Sequence, residues 1–316
     1  MNSQLAHLPQ ALPQLTDPLE QFLAGQMSES TQRAYRADIE SFFQFLEVEQ
    51  IDLLEAQQVT FHQVIAWRNA LANEGYKRTT INRKLASVRA FYKVLLAAGY
   101  VPQSPADAAL VKGYRQDNTP AGKSLSKDHT NLLLRAALDN PKEVFRARDT
   151  SLLYLLLYAG LRRSEATNAL WGDLRQEGVH WVLTLPETKA QVPQEVKVQP
   201  IVQHYLSFWK GVAQSTGYSG GDTDPIFFSL SPNHRGERLT PQSINLTVKK
   251  YGEKAGLPRE ITAHIMRHTC CTMAIEGGAK PVQAQHHLRH RDIKTTMRYY
   301  EHRDHLNDNA SDYIHP

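Results

Sequence analysis

Cysteine is scarce in this sequence. Its 316 residues contain two cysteines, Cys270 and Cys271, which are neighbours and therefore cannot join distant segments through disulfide bonds. A chain that does not depend on disulfides is typical of the reducing cytoplasm. We therefore predict a cytoplasmic protein.

Long apolar runs are missing as well. No stretch approaches the roughly 18 to 20 consecutive apolar residues that a membrane span needs. The first twenty residues, MNSQLAHLPQALPQLTDPLE, lack a charged segment followed by an apolar core, which is the pattern of a signal peptide. The sequence therefore predicts no contact with a membrane.

The net charge is small, formally +4, but it is unevenly distributed along the chain. Residues 17–55 contain two basic and nine acidic side chains, whereas residues 68–93 contain seven basic side chains and one glutamate. Residues 249–303 contain eleven basic and five acidic side chains. Basic blocks separated by acidic ones indicate faces that meet a polyanion such as DNA, although solvated helix surfaces produce the same pattern.

The chain is long enough for two domains at about 150 residues per domain. We predict a flexible lead over residues 1–16 and a helical domain over 17–109. Residues 110–123, rich in small and polar side chains, form the predicted linker to a second domain over 124–316. The predicted fold class is mainly α with a small β-sheet (α+β).

The first domain contains two clear helical patterns. In SESTQRAYRADIESFFQFLE, Ser28 or Ser30 can cap the helix. RTTINRKLASVRAFYKVLLAAG ends at Gly99 and has an apolar face and a polar, mainly basic face. The apolar face comprises Ile81, Leu85, Val88, Tyr92 and Leu95. The polar face suits a DNA groove, with plain surface amphipathicity as the alternative, and its predicted DNA-binding residues are Arg78, Asn82, Arg89 and Lys93.

The second domain combines helices with two extended runs. These runs, Trp181 to Leu185 and Glu195 to Val198, flank a predicted turn that carries Lys189. Helical patterns precede them and resume from about Pro241. The sequence therefore predicts a β-hairpin within a mostly helical domain.

Cationic and imidazole side chains recur in suggestive places of the second domain. Arg162 follows Gly160, and His264 and Arg267 are three residues apart, on one face of a helix. His290 precedes Tyr299 by nine residues. Any one of these residues alone is more often structural than catalytic.

In this order the residues resemble the tyrosine recombinase family of phage integrases and Xer-type recombinases. The family pattern is Arg, Lys in a β-turn, His-x-x-Arg, His or Trp, and then Tyr. Residues 17–109 are similar to its helical, SAM-like core-binding domain, and residues from 124 onward to its catalytic domain. The resemblance implies a C-shaped clamp around DNA and the catalytic residues Arg162, Lys189, His264, Arg267, His290 and Tyr299.

The resemblance implies that the chain cuts and rejoins DNA. Tyr299 would attack the scissile phosphodiester and become joined to the 3′ end, and Arg162 and Arg267 would hold the two non-bridging oxygens. A tyrosine hydroxyl has an ordinary pKa near ~10 and needs such positive charge nearby. Lys189 would protonate the leaving 5′ oxygen, with His264 and His290 as proton-transfer and phosphate-contact groups. Because the phosphotyrosine link conserves the bond energy, neither ATP, a metal nor another cofactor is implied.

Several alternatives stay open at this point. The spacing from His290 favours Tyr299 as the nucleophile, whereas the ending Tyr-x-His would favour Tyr300. Arg289 stands where the family generally has glycine, so either the turn differs or the arginine makes an extra DNA contact. His286 and His290 have metal-ligand spacing, but no HExxH motif or third ligand accompanies them, and we predict no metal site.

The expected partners are double-stranded DNA and further copies of the chain. The resemblance implies inverted-repeat half-sites around a short spacer and a tetramer that forms when two sites meet. We expect the C-terminal tail, which ends with the apolar Tyr313 and Ile314, to dock on a neighbouring copy. A catalytically silent DNA-binding protein and a type IB topoisomerase are the alternatives. Integration and resolution stay open as biological roles, with or without an accessory DNA-bending protein or a partner recombinase.

Overall fold

A computed structural model describes residues 17–26, 28–115, 124–185, 193–258 and 260–300. The chain forms two compact units, divided between residues 118 and 119. The lead over 1–16, the turn with Lys189 and the tail with Tyr313 and Ile314 lie outside the described residues. Within the described ranges no helix is both long enough and apolar enough to cross a membrane.

The first unit is helical, as predicted. Ser28 caps its second helix, because its hydroxyl accepts a hydrogen bond from the Thr31 amide at 3.2 Å. The buried carboxylate of Asp38 in this helix pairs with Arg83 and accepts a hydrogen bond from Ser87 at 2.6 Å. The five helices of the unit are α1 (Pro18–Ala24), α2 (Glu29–Phe45), α3 (Leu53–Gln58), α4 (Phe61–Asn73) and α5 (Arg78–Ala97).

The prediction for α5 is confirmed on its apolar side. All five residues of the predicted apolar face are buried in the core of the first unit. Three of them, Leu85, Val88 and Tyr92, are fully excluded from solvent. The chain leaves the helix through Gly99, whose φ of 75° is left-handed and suits glycine.

The polar side of α5 is partly covered by the chain that follows it. Asn82 exchanges two hydrogen bonds of 2.8 Å with the backbone of Tyr114, and Arg89 donates to the carbonyl of Ala106 at 3.1 Å and to that of Val111. Gly113 is needed here, because a Cβ would lie 2.6 Å from the Asn82 side-chain oxygen. Residues 110–115, part of the predicted linker, therefore pack on the first unit.

The second unit contains eight helices within its described residues and one antiparallel sheet. The predicted hairpin is present, with Leu183 opposite Val196. The strand β1 and the helix α9 were missing from the sequence-based prediction. The helices are α6 (Lys127–Leu138), α7 (Glu143–Tyr158), α8 (Arg163–Asn168), α9 (Pro200–Ser215), α10 (Pro241–Lys254), α11 (Ala263–Glu276), α12 (Pro281–Leu288) and α13 (Ile293–Tyr300). The strands, in the order β1-β2-β3, are β1 (Leu174–Glu177), β2 (His180–Leu185) and β3 (Gln194–Val198).

The fold class is therefore mainly α with one small sheet, as predicted. Leucines of α7, among them Leu152 and Leu156, form the centre of the main core and are fully buried. A smaller apolar cluster joins α11, α12 and α13. The loop after α7 and the loop after α12 meet beside this cluster, and the candidate site lies there.

Candidate active site

The turn after α7 places the first arginine of the site. Gly160 has a left-handed φ of 58°, and a Cβ at this position would lie 2.5 Å from a methyl carbon of Leu288. The left-handed φ and the packed side chain of Leu288 both favour glycine here. Arg162 follows as the residue that precedes α8.

Arg162 is held by a buried carboxylate. Glu165, at the third position of α8, accepts hydrogen bonds from the Arg162 amide at 2.8 Å and from its Nη1. The Arg162 side chain stays 43% exposed, whereas that of Glu165 is 3% exposed. Burial alone would raise the pKa of the Glu165 carboxyl, but the charges of Arg289 and Arg162 lower it below its usual value. Glu165 is therefore an anion that orients a partly exposed guanidinium.

Arg267 forms the buried part of the site. Its guanidinium donates one hydrogen bond to the carbonyl of Gly160 and one to the carbonyl of Leu288. Burial, followed by the charges of Arg162 and Arg289, lowers its pKa to about 10, which leaves it charged at neutral pH. Each of these bonds uses one of five N–H donors, so the guanidinium retains donors for an oxyanion.

His264 lies one helical turn before Arg267 on α11 and is exposed. Its ring meets that of His268 edge to face, with 4.2 Å between the centroids. The His268 ring in turn lies 5.5 Å from the Tyr299 ring. The two histidines therefore connect Tyr299 with the part of α11 that carries Arg267.

Tyr299 lies on α13 and is 9% exposed. Its ring belongs to the apolar cluster of α11, α12 and α13, together with Cys271 and Leu288. Both cysteines are buried and free. The side chain of Tyr300 is outside the described part of the chain.

His290 contacts α13 through a hydrogen bond of 2.8 Å between its Nδ1 and the hydroxyl of Thr296. The pKa of the His290 imidazole is lowered mainly by burial, and the charges of Arg267 and Arg162 lower it further. Together they lower the pKa of His290 to about 4, so the imidazole is neutral at neutral pH.

The conformation of Arg289 matches neither alternative from the sequence, which were a different turn and an extra contact with DNA. Its φ of 55° is left-handed, so the turn is retained although the residue is not glycine. Its side chain is 3% exposed and pairs with Glu165 at 2.9 Å, so it does not extend towards a DNA partner. Burial is the largest cause of the lowered pKa of its guanidinium.

Five of the six predicted catalytic residues are linked to one another. Electrostatic interactions with Arg267, Arg162 and His264 act on His290, and the ring of Tyr299 contacts that of His268, which contacts that of His264. Lys189 lies outside the described residues. Within the described part of the chain, no three histidine, cysteine, aspartate or glutamate side chains are grouped to hold a metal ion.

Three further residues of this site were not among the predicted catalytic residues. Glu165 could have been found from its position three residues after Arg162, which is the spacing of a capping box. His268 is four residues after His264, and Thr296 is three before Tyr299, so both share a helix face with a predicted residue. Only their contacts distinguish them from other polar residues on the same helices.

The predicted DNA-binding residues of α5 fall into two groups. Arg78 and Lys93, near the ends of the helix, are exposed. Asn82 and Arg89 are half-buried and hold residues 106–114 against the helix. The structure gives these two an intradomain role, and their contact with DNA stays a prediction.

Comparisons with known proteins agree with this description. Residues 123–305 match the Phage integrase family, and residues 19–99 match the Phage integrase, N-terminal SAM-like domain. Tyrosine recombinase XerC of Leptospira interrogans serogroup Icterohaemorrhagiae serovar copenhageni (strain Fiocruz L1-130) is 29% identical over 273 residues, which are 86% of this chain and 83% of the relative. Tyrosine recombinase XerD of Proteus mirabilis is 29% identical over 289 residues, 89% of this chain and 87% of the relative.

The fold is also found in a solved structure. A lambda integrase tetramer bound to a Holliday junction is similar with a TM-score of 0.66 and 17% sequence identity, over 87% of this chain and 76% of the other. At this identity the likeness shows a shared fold. Since the Phage integrase match alone covers more than half of the residues, the chain belongs to the phage integrase family of tyrosine recombinases.

Proposed function

We propose that this chain is a site-specific tyrosine recombinase that cuts and rejoins DNA through a covalent bond to Tyr299. The observation that carries the proposal is the meeting of two guanidiniums, Arg162 and Arg267, beside the helices that hold Tyr299. Two such groups suit the two non-bridging oxygens of one phosphodiester, because each guanidinium presents a rigid fork of donors. The arrangement can therefore bind a phosphodiester beside the proposed nucleophile.

In the proposed reaction, Tyr299 attacks the phosphorus, becomes joined to the 3′ side of the break and releases a 5′ hydroxyl. Arg162 and Arg267 stabilise the charge that develops on the phosphorus oxygens, which is usually the largest single catalytic contribution. Both are positioned for this before DNA binds, because carbonyl and carboxylate partners already hold their guanidiniums.

Proton transfer is assigned to three groups. Lys189 is the proposed general acid for the leaving 5′ oxygen, and such proton transfer contributes ~10²- to 10⁴-fold. His264, exposed at the start of α11, can reach a bound phosphate or the attacking oxygen. His290 is neutral, and with its Nδ1 bonded to Thr296 its Nε2 is left for a phosphate contact or a proton.

Two observations support Tyr299 rather than Tyr300 as the nucleophile. Tyr299 lies three residues after Thr296, on the face of α13 that meets His290. Its ring also contacts His268 on the helix of Arg267.

The test is the formation of a covalent DNA adduct. DNA sites are first selected from a random pool by binding to the protein, and a nicked suicide version is then made of the selected site. We expect an adduct that survives denaturant without added metal, which Tyr299→Phe abolishes and Tyr300→Phe retains, with DNA binding unchanged in both. An adduct in Tyr299→Phe but not in Tyr300→Phe would make Tyr300 the nucleophile. An adduct that forms in both variants would refute the proposed enzyme.

The proposed DNA partner is a pair of inverted-repeat half-sites, each bound by one copy of the chain. A relative of the same fold forms a tetramer on a Holliday junction, which supports four copies when two sites exchange strands. The relatives named tyrosine recombinase XerC and XerD support a recombinase role. We propose that this role is DNA integration, DNA excision, or the resolution of mobile elements, plasmids or chromosome dimers, and that the chain acts in the cytoplasm. No observation favours the catalytically silent alternative.

A further inference from the structure

Arg289 has a backbone conformation that an arginine rarely adopts. Its φ of 55° and ψ of 45° are left-handed, at the end of α12. This conformation brings Cβ too close to the following carbonyl oxygen, and glycine is the usual residue for it. Among the described non-glycine residues, Glu47 alone shares a positive φ. A strained residue inside a functional site points to a role for its side chain.

The Arg289 side chain contacts Arg162 through a shared carboxylate. Its Nη2 donates to Glu165 Oε2 at 2.9 Å, and Glu165 Oε1 accepts from Arg162 Nη1. The carbonyl of Arg289 also accepts a hydrogen bond from Arg162 Nη2 at 3.2 Å. Arg162 is therefore held by Arg289 twice, directly through the backbone and indirectly through Glu165.

Backbone contacts compensate part of its own burial, whereas its Nε is buried without a hydrogen-bond partner. Nη1 donates to the His287 carbonyl at 2.7 Å, and Nη2 lies 3.4 Å from the Gly160 carbonyl. A buried guanidinium is costly unless it is paired and hydrogen-bonded. The arrangement places a third guanidinium close to the two that are proposed to bind phosphate.

The third guanidinium changes the net charge of the site. If Glu165 were paired with Arg162 alone, the carboxylate would neutralise that arginine and compete with the phosphate for its donors. Shared between Arg162 and Arg289, the carboxylate leaves one net positive charge on the trio. Arg267 raises the sum to +2 (three cations minus one anion). A phosphodiester carries one negative charge and gains a second when a deprotonated tyrosine oxygen adds to it.

We propose that Arg289 is a positioning residue for DNA cleavage, which holds Arg162 in place and, by sharing Glu165, keeps the charge of Arg162 available to the scissile phosphate. The inference rests on the proposed function, in which Arg162 binds that phosphate. It assigns Arg289 no contact with DNA.

The test compares Arg289→Gly with the unmodified protein. Glycine accepts the left-handed turn without strain, so the variant removes the guanidinium and retains the shape of the loop. With saturating protein on the suicide substrate, we expect adduct formation to slow by about 10- to 100-fold, since a displaced catalytic group has effects of this size. The dissociation constant for a half-site should not rise, and the melting temperature should not fall.

A second substrate separates positioning from folding. A methylphosphonate at the scissile position replaces one charged oxygen by a methyl group, so the reacting phosphorus needs one positive charge less. On this substrate we expect most of the loss in Arg289→Gly to disappear. A purely structural defect would slow both substrates equally, and that result would overturn the proposal.

Two further variants complete the design. Arg289→Lys retains a cation beside Glu165 and should cleave faster than Arg289→Gly. Glu47→Gly removes the same backbone strain at an exposed position of the first unit and should cleave at the unmodified rate. Arg289→Gly cleaving as fast as the unmodified protein, or both Arg289 variants failing to fold, would also overturn the proposal. If the unmodified protein itself forms no adduct, the proposed function fails first.

Discussion

Arg267 shows how a single buried residue prepares a site for an anion. Two backbone carbonyls, that of Gly160 in the turn after α7 and that of Leu288 at the end of α12, accept hydrogen bonds from its guanidinium and fix the plane of the group. Arg162 is fixed in the same way by Glu165. Because these bonds are made without DNA, little reorganisation is needed when a phosphate arrives.

Replacing Arg267 by lysine tests whether the fork is needed. A lysine presents its three N–H donors from a single nitrogen, which cannot reproduce the planar fork that spans both carbonyls and a phosphate oxygen. We expect Arg267→Lys to slow adduct formation by about 10²-fold or more and to retain DNA binding. Arg175→Lys, on the exposed edge strand β1, is the matched control and should leave the rate unchanged. A rate near that of the unmodified protein in Arg267→Lys would contradict the proposed phosphate contact.

The pKa of His290 predicts a pH-dependent stability. The pKa is about 4 in the folded chain and near 6.5 in the unfolded chain, so below pH 6.5 the unfolded state binds the proton more readily. The stability from the neutral imidazole is therefore complete above pH 6.5 and is lost as the pH falls towards 4. We expect the melting temperature to fall more steeply across this window in the unmodified protein than in His290→Gln. His286→Gln, at an exposed position of α12, is the control, and parallel curves for all three would refute the prediction.

At the scale of elements, α5 has two different polar surfaces. The middle of its polar face is occupied by residues 106–114, which Asn82 and Arg89 hold in place. Its ends, at Arg78 and Lys93, are exposed. The helix can therefore offer long cations to DNA at its ends, while its centre joins the domain together.

This difference predicts opposite effects for two arginines of α5. Arg78→Ala should weaken DNA binding and flatten its salt dependence by a slope of about 1 per lost phosphate contact. Arg89→Ala should instead lower the free energy of unfolding by about 1–3 kcal/mol, because it leaves the Ala106 and Val111 carbonyls without their donor. Salt-dependent gel shifts and thermal unfolding of both variants check this, with Lys93→Ala as a second exposed position. A flattened salt slope in Arg89→Ala at unchanged stability would place that side chain on DNA.

At the scale of the whole molecule, the chain consists of two units that each have their own core. The proposed phosphate site lies in the second unit, and the exposed ends of α5 belong to the first. Recombination between two duplexes needs four strand cuts, so four copies must act together. The C-shaped clamp around DNA and the tetramer stay predictions from the family resemblance.

The tail provides a test of assembly. We predict that removal of residues 306–316, which include Tyr313 and Ile314, leaves binding to one half-site intact but reduces cooperative binding to two and slows strand exchange. The reason is that two apolar side chains near the chain end can dock on a neighbouring copy. Gel shifts on DNA with one and with two half-sites measure the effect, and a Tyr313→Ser, Ile314→Ser variant of full length is the matched control. Unchanged cooperativity in the truncated chain would exclude the tail as the coupling element.

The sequence by itself determined several of the elements and the chemical types of the residues in the candidate site. The apolar face of α5 was predictable because a helical period is a local property, and the hairpin was predictable from its alternating strands. The order of Arg162, Lys189, His264, Arg267, His290 and Tyr299 indicated the family, and the family match over residues 123–305 confirms it.

Only the tertiary structure decided how these residues are used. Arg289 pairs with Glu165, which lies 124 residues before it in the sequence. Arg267 donates a hydrogen bond to the carbonyl of Gly160, which lies 107 residues before it. Likewise, the sequence alone does not distinguish a contact of Arg89 with DNA from its hydrogen bonds to the carbonyls of Ala106 and Val111, which the tertiary structure shows. Periodicity and spacing report which face of an element a residue occupies, but a buried ion pair depends on which distant backbone folds over that face.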